Sequence, residues 1–299
     1  MMMIRVSVLA GLLVGVITAM SLTSAAAQED NEAASFKVMS FNIRFGTAND
    51  GEHAWEHRRD AVIGMIRRHD PDVLGVQEAL SFQIDELSAA LPGYAFHGVG
   101  RDDAEAAGEY CGIFVRSDRF VIENGGHFWL SDTPKVIASV GWDAVITRMA
   151  SWVVLRDLKN GRPVVVGNTH FDHVGEVSRV ESAKLIRQRI QEIAPGIAVV
   201  VMGDFNAAEG SAPYQALVDD DAGLGDGLID AYRSAKPVPE GDEGTFSGFN
   251  AEAVRGRRID WVLHNDALST VACEIDQRLV DGVLASDHDP VIAELRYAD

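Results

Sequence analysis

Hydrophobic and polar positions alternate along this chain with two different periods. Phe36-Lys37-Val38-Met39-Ser40-Phe41-Asn42 alternates apolar with polar or small residues, which predicts a half-buried first strand ending on Asn42. From Trp55 to His69 the apolar residues Ala61, Val62, Met65 and Ile66 recur at helical spacing among Arg58, Arg59, Arg67 and Arg68, until Asp70-Pro71 stops the helix. Val73-Leu74-Gly75-Val76 predicts a short buried strand that delivers Gln77-Glu78. A helix is expected over 82–91, and strand pieces over 112–115, 120–122 and 151–155. Between them a long loop over about 125–147, with Trp129, Trp142 and the adjoining Arg148, is a natural place for substrate selection.

The second half reads the same way. A buried strand is expected over 162–169, ending on His170, then an amphipathic helix over 177–193. The apolar run Ala198-Val199-Val200-Val201-Met202 leads directly into Gly203-Asp204-Phe205-Asn206. A short helix follows Pro213, and the acidic, glycine-rich stretch 219–249 is assigned no regular structure and reads as a mobile loop. Strands over 259–263, 270–275 and 291–295 complete the pattern. Strands come in adjacent runs as often as they alternate with helices, so the fold class is α/β in the α+β sense, with mixed or antiparallel sheets.

Ahead of the first strand, Arg5 and an apolar run from Val6 to Met20 precede Ala25-Ala26-Ala27. This is the pattern of a secretory signal peptide over 1–27, which makes 28–299 the working domain of an exported, periplasmic or secreted protein without a stable membrane anchor. No internal repeat or low-complexity linker divides that domain, and a monomer is expected. The two cysteines, Cys111 and Cys273, are permitted a disulfide by an export compartment without being required to form one. With 26 Lys and Arg against 45 Asp and Glu, the net charge of −19 opposes loose binding to polyanions and disfavours a nucleic acid as partner. A cation held among carboxylates reverses the local potential, so a phosphate-ester substrate stays compatible with the acidity.

Asn42, Glu78, His170, Asp204, Asp260 and Asp287 each lie within, at the end of, or just before a strand pattern. Carboxylates gathered there repel one another unless a cation or a proton intervenes. Glu78 and Asp287, with an amide from Asn42 or Asn206, supply the hard oxygen ligands that Mg2+ or Mn2+ prefers. His170 and His288 are expected to hydrogen-bond a phosphate or donate a proton to it, with Asp260 orienting His288 and Asp204 acting on the attacking water. Taken singly, each has a plainer reading: Asn42 a satisfied strand-end amide, His170 a core histidine, Asp260 an ion-pair partner of Arg257 or Arg258. Other chemistries stay open as well: a His/Asp zinc site using Asp172 and His173, a glycosidase pair of Glu78 and Asp204, or a noncatalytic exported binding protein.

The segments Ser40-Phe41-Asn42-Ile43-Arg44, Gln77-Glu78, Asn168-Thr169-His170, Gly203-Asp204-Phe205-Asn206, Arg258-Ile259-Asp260-Trp261 and Ser286-Asp287-His288 resemble, in order, the signatures of the endonuclease/exonuclease/phosphatase superfamily. That superfamily includes apurinic endonucleases, deoxyribonuclease I, neutral sphingomyelinases and inositol polyphosphate 5-phosphatases. The resemblance implies a four-layer sandwich, two packed mixed and mostly antiparallel sheets flanked by helices, with the site at one end of the sheets. It also implies a metal-dependent phosphoesterase, with Glu78, Asn42 and Asp287 at the metal, Asp204 and Asn206 positioning water and phosphate, His170 on the phosphate, and His288 backed by Asp260. Trp129-Leu130-Ser131-Asp132-Thr133-Pro134 and Gly141-Trp142-Asp143-Ala144 resemble exported bacterial members most closely, although Gly112 and Thr147 stand where proline is expected. On family breadth a phosphodiester or nuclease-type substrate is preferred, with a sugar or lipid phosphomonoester as the alternative. Arg44, Arg58, Arg59 and Arg148 are the obvious cations for a nucleic acid.

Overall fold

The computed structural model describes residues 35–193, 195–220, 227–252 and 254–298. The expected signal peptide lies outside the described residues. In chain order the main elements are β1 (Ser35–Asn42), α1 (Trp55–His69), β2 (Val73–Ala79), α2 (Ser81–Ala90), β3 (Tyr94–His97), β4 (Tyr110–Arg116), β5 (Phe120–Trp129), β6 (Met149–Asp157), β7 (Pro163–His170) and α3 (Glu176–Ile193). They continue with β8 (Ala198–Asp204), α4 (Ala212–Val218), β9 (Ile229–Asp230), α5 (Ala231–Ser234), β10 (Asp260–His264), β11 (Leu268–Ile275) and β12 (Val291–Tyr297).

Two six-stranded sheets result, ordered β11-β12-β1-β2-β4-β3 and β5-β6-β7-β8-β10-β9. Each is antiparallel except for one central parallel pair, β1 with β2 and β7 with β8. Both pairs are joined across a helix, as parallel neighbours require. Strand alternation then sorts the side chains into layers. Val38, Val164, Val166, Val200 and Leu295 meet in the core between the sheets. Met39, Phe41 and Leu74 face outward to pack with Ile66 of α1 and Leu87 of α2. Val165, Val199 and Val201 face the other way toward Ile186 of α3. Burial on both faces is why these strands read as unbroken apolar runs.

Helix α1 stops where the sequence indicates, with Asp70 in the left-handed region at φ 47° before Pro71. Two expectations are corrected, and one strand, β3, is added. The loop expected from about residue 125 begins only after Trp129, because Gly125 and Gly126, weak strand formers, pair with Val153 and Trp152 of β6. Strand β3 carries no strong alternation and is held as an edge by β4. In the stretch 219–249, residues 221–226 lie outside the described residues, and the part beyond them is not structureless, because β9 pairs with β10 and the chain after it docks against residues 287–289. Cys111 and Cys273 are both buried and unpaired.

Gly112 has a local reason for not being proline or a larger residue. A Cβ there would come within 2.6 Å of the Phe96 ring.

Candidate active site

The two parallel pairs point their C-terminal ends to the same edge of the sandwich. β1 ends on Asn42, β7 on His170 and β8 on Asp204, and sheet register sets Asp204 beside both His170 and Asp260. Gly203 permits the approach, since a Cβ there would lie 2.1 Å from the Thr169 carbonyl oxygen. Below this edge a buried polar clamp ties the sheets together. Gln77 Nε2 donates to Asn168 Oδ1 at 2.6 Å, and Asn168 Nδ2 donates to the Val76 and Gly112 carbonyls at 2.9 and 2.8 Å. These cross-sheet amide bonds resist sliding, so the ends of the sheets keep a fixed offset.

Asp204 is the hub of the arrangement. Its Oδ2 accepts from Asn42 Nδ2 at 3.0 Å and lies 3.3 Å from His170 Nε2 and 3.7 Å from His288 Nε2. Its Oδ1 accepts from the Asn206 backbone N–H at 2.9 Å. Burial, and then the charge of Asp260, push its carboxyl up to about 7.

The two histidines are held in opposite charge states. Burial opposes a proton on His288, yet Asp260 and Asp204 outweigh it, and the imidazole titrates well above its ordinary value. Its Nδ1 sits 2.9 Å from Asp260 Oδ2. His170 is held well below its ordinary value, by burial and then by the guanidinium groups of Arg148 and Arg101. Asn206, turned back by a left-handed φ of 46°, donates its amide to His170 Nε2 at 3.0 Å and to the Phe171 carbonyl at 3.1 Å. A neutral ring accepting at Nε2 carries its proton on Nδ1, which faces Glu109 Oε2 at 3.9 Å.

Glu78 enters through a break in register between β2 and β4, in a left-handed conformation at φ 62° that turns its carboxylate toward the hub. It accepts from Asn42 Nδ2 at 3.0 Å and from the Phe45 N–H at 3.1 Å. Asn42 therefore presents an N–H2 to both carboxylates, while its own Oδ1 accepts from the Arg44 N–H. Asp287 accepts from Ser286 Oγ at 3.2 Å and lies 3.8 Å from Arg44 Nε, and burial raises its carboxyl above the ordinary value. Among the described residues, ligand atoms within 4.8 Å of one another form two groups, Glu78 with His170 and Asp204, and Asp204 with Asp260 and His288. Asp287 belongs to neither group.

All eight candidate residues thus meet at one edge, and several plainer readings fall away. Asp260 does not pair with Arg258, which instead binds Asp230 at 2.6 Å and Glu209 at 3.0 Å. Asp172 closes a turn by accepting the Val174 and Gly175 N–H groups, and His173 Nδ1 meets Arg148. The four arginines proposed for nucleic acid are occupied. Arg44 forks onto Asp50, Arg59 meets Asp60, and buried Arg58 donates to the Ile43, Arg44, His53 and Ala285 carbonyls. Arg148 is buried beside Glu109 and Asp172.

Sequence reading missed Phe246, whose ring packs edge-on to His288 at 5.0 Å, and Thr245, whose hydroxyl accepts the Ile259 and Asp260 N–H groups. Neither position has a signal in a stretch without periodicity. It also missed Glu109, which Arg101 grips through two nitrogens at 2.7 and 2.9 Å.

Comparison with known proteins agrees with this edge. The family model for the Endonuclease/Exonuclease/phosphatase family matches residues 39–288. The crystal structure of an endonuclease/exonuclease/phosphatase from Bacteroides vulgatus is 34% identical, with a TM-score of 0.82 over 88% of this chain and 99% of that one. The mannosyl-6-phosphatase of Bacteroides thetaiotaomicron is 32% identical, with a TM-score of 0.80 over 88% of this chain and all of that one (100%). An uncharacterized protein of Acanthamoeba polyphaga mimivirus is 24% identical over 196 residues, 54% of this chain but only 28% of that protein's length.

Proposed function

The chain belongs to the endonuclease/exonuclease/phosphatase family, and on that premise we propose that it is a divalent-metal-dependent hydrolase of phosphate monoesters on a sugar-like alcohol. The observation that carries this is the geometry of the hub, with buried Asp204 Oδ2 3.3 Å from His170 Nε2 and 3.7 Å from His288 Nε2, and Asp260 Oδ2 2.9 Å from His288 Nδ1. Burial raises the Asp204 carboxyl, which makes it a stronger base toward water than an exposed carboxylate.

The residues present fit a divalent cation. Glu78 and Asp204 bring carboxylate oxygens within 4.8 Å of one another, Asp287 feels the charge of Glu78 from farther off, and burial makes Asp204 and Asp287 hold protons more tightly than ordinary carboxylates. Glu78 and Asp287 would hold the ion with hard oxygens, while Asn42, expected at the metal, instead steadies the Glu78 and Asp204 carboxylates through its N–H2. When bound it supplies charge neutralisation on a phosphoryl oxygen and a lower pKa for water. In our reading Asp204 takes the proton of the attacking water as its oxygen bonds to phosphorus, while His170, with its ring proton moved to Nε2, and Asn206, whose amide is thereby released from that nitrogen, donate to the phosphoryl oxygens. His288, kept protonated, faces the charge that develops as the P–O bond to the alcohol breaks in line, and the departing oxygen is protonated from solvent.

Two findings move the preference from the diester expected on family breadth to a monoester. Of the arginines singled out for a nucleic-acid backbone, Arg44, Arg58 and Arg148 are spent on internal partners. A relative 32% identical is a mannosyl-6-phosphatase. The test is release from 4-nitrophenyl phosphate and bis(4-nitrophenyl) phosphate with Mg2+, Mn2+ or excess chelator. Metal-dependent cleavage favouring the monoester is expected. Activity that survives chelation removes the metal mechanism, and diester preference restores the other substrate class. No cleavage of either ester favours a binding protein.

A further inference from the structure

Beyond Asn206 the site opens into a groove between the first turns of α3 and α4, with a cavity of about 590 Å3. That is the size of a small-ligand pocket. Ala207, Ala208 and Pro213 form an apolar floor, and Arg179 and Arg257 line the sides. Neither was among the cations that sequence reading singled out for a nucleic acid, and Arg257 entered there only as a candidate partner of Asp260.

Their situation is unusual in this acidic chain. Around the site Arg44, Arg101, Arg255 and Arg258 are each tied to a carboxylate. Arg257 is exposed, and its side chain has no hydrogen bond or ion pair among the described residues. Arg179 spends one nitrogen on the Asp172 carbonyl and, among the described residues, meets no carboxylate within ion-pair distance. Of the two acids that also line the groove, Glu181 is paired with Lys184 at 2.7 Å. Two guanidinium groups therefore face one uncompensated carboxylate, Glu176, across a space that begins at the residue holding His170. Accessible guanidinium forks with unused donors are matched to carboxylate and phosphate oxygens.

We propose that this groove receives the leaving alcohol and that Arg179 and Arg257 bind a second oxyanion carried on it, a carboxylate or a phosphate. The inference rests on phosphoester hydrolysis at Asp204. It predicts a substrate with two anionic ends, one cleaved and one used as a handle.

Steady-state kinetics with Mg2+ would compare phenyl phosphate, 4-carboxyphenyl phosphate and 4-(phosphonomethyl)phenyl phosphate. The ratio of kcat/KM for an anionic ester to that for phenyl phosphate cancels differences between enzyme preparations. Arg257→Glu is expected to lower that ratio at least about tenfold, chiefly through KM of the anionic ester, the size of a lost charge-assisted hydrogen bond. Arg257→Lys should retain most of it, and Arg179→Gln should move it in the same direction as Arg257→Glu. Whichever anionic ester loses more identifies the handle as carboxylate or phosphate. Ratios that stay the same in the wild type and all three variants overturn the subsite while leaving the hydrolase intact. A wild-type protein inert to all three esters overturns the hydrolase reading itself.

Discussion

Asp204 and Asp276 are aspartates equally withdrawn from solvent, each 1% exposed, yet their carboxyls move in opposite directions. Asp276 lies just beyond β11, where the last turn of α1 meets it. It receives His69 Nε2 at 2.7 Å, Arg68 Nη1 at 3.0 Å and Arg278 Nε at 2.6 Å. Burial works against its charge, but these bonds outweigh burial and hold the carboxyl well below the ordinary value. Around Asp204 the neighbours are amides, a neutral His170 and another carboxylate, Asp260, so only His288 offers charge and the carboxyl rises. Burial alone therefore does not mark a functional acid. The sign of what surrounds it separates a structural knot from a reactive group.

The largest effect expected is on turnover. Asp204→Asn should lower kcat about a hundred- to ten-thousand-fold, whereas Asp276→Asn should leave kcat per folded molecule within about twofold. Equal losses in the two variants would erase the distinction.

Stability should invert that order. Asp276→Asn leaves His69, Arg68 and Arg278 without their shared charge and is expected to cost about 2–3 kcal/mol in urea unfolding at neutral pH. Asp204→Asn in chelator at pH 8 should hold or raise the melting temperature, because it removes a carboxylate that the native state resists ionising.

The smallest effect is the shape of the stability curve with pH. The depressed carboxyl of Asp276 contributes stability that is whole above its unfolded value near 3.9 and is lost as pH falls through its folded value, so Asp276→Asn should flatten the acid limb. Asp204 keeps its proton up to about 7 when folded but releases it near 3.9 when unfolded. Its contribution to stability therefore falls as pH rises between those values. Melting temperatures from pH 2 to 9 in chelator would follow the onset of the acid limb and the whole of the neutral one.

Legibility from sequence followed the same division. Helix α1 runs from Trp55 to His69 as its apolar spacing and Asp70-Pro71 dictate, and β1, β2, β7 and β8 lie where alternating or unbroken apolar runs place them. Short polar clusters at the ends of those strands, such as Gly203-Asp204-Phe205-Asn206, marked the site because a strand end is where backbone turns and side chains are free to converge. What had no local period was not legible. Strand β3 and the glycines that extend β5 depend on partners supplied by β4 and β6. Phe246 reaches His288 from a stretch that carries no pattern at all.

The sequence by itself determined the elements that carry a local period, the family and the residue types available for chemistry, because periodicity and short motifs are properties of neighbouring residues. Only the tertiary structure decided which carboxylate is charged, which histidine keeps its proton, and which arginines have donors left to offer. Those outcomes depend on burial and on charges brought together from 36 to 162 residues away, as His170 and Asn42 are at Asn206 and Asp204.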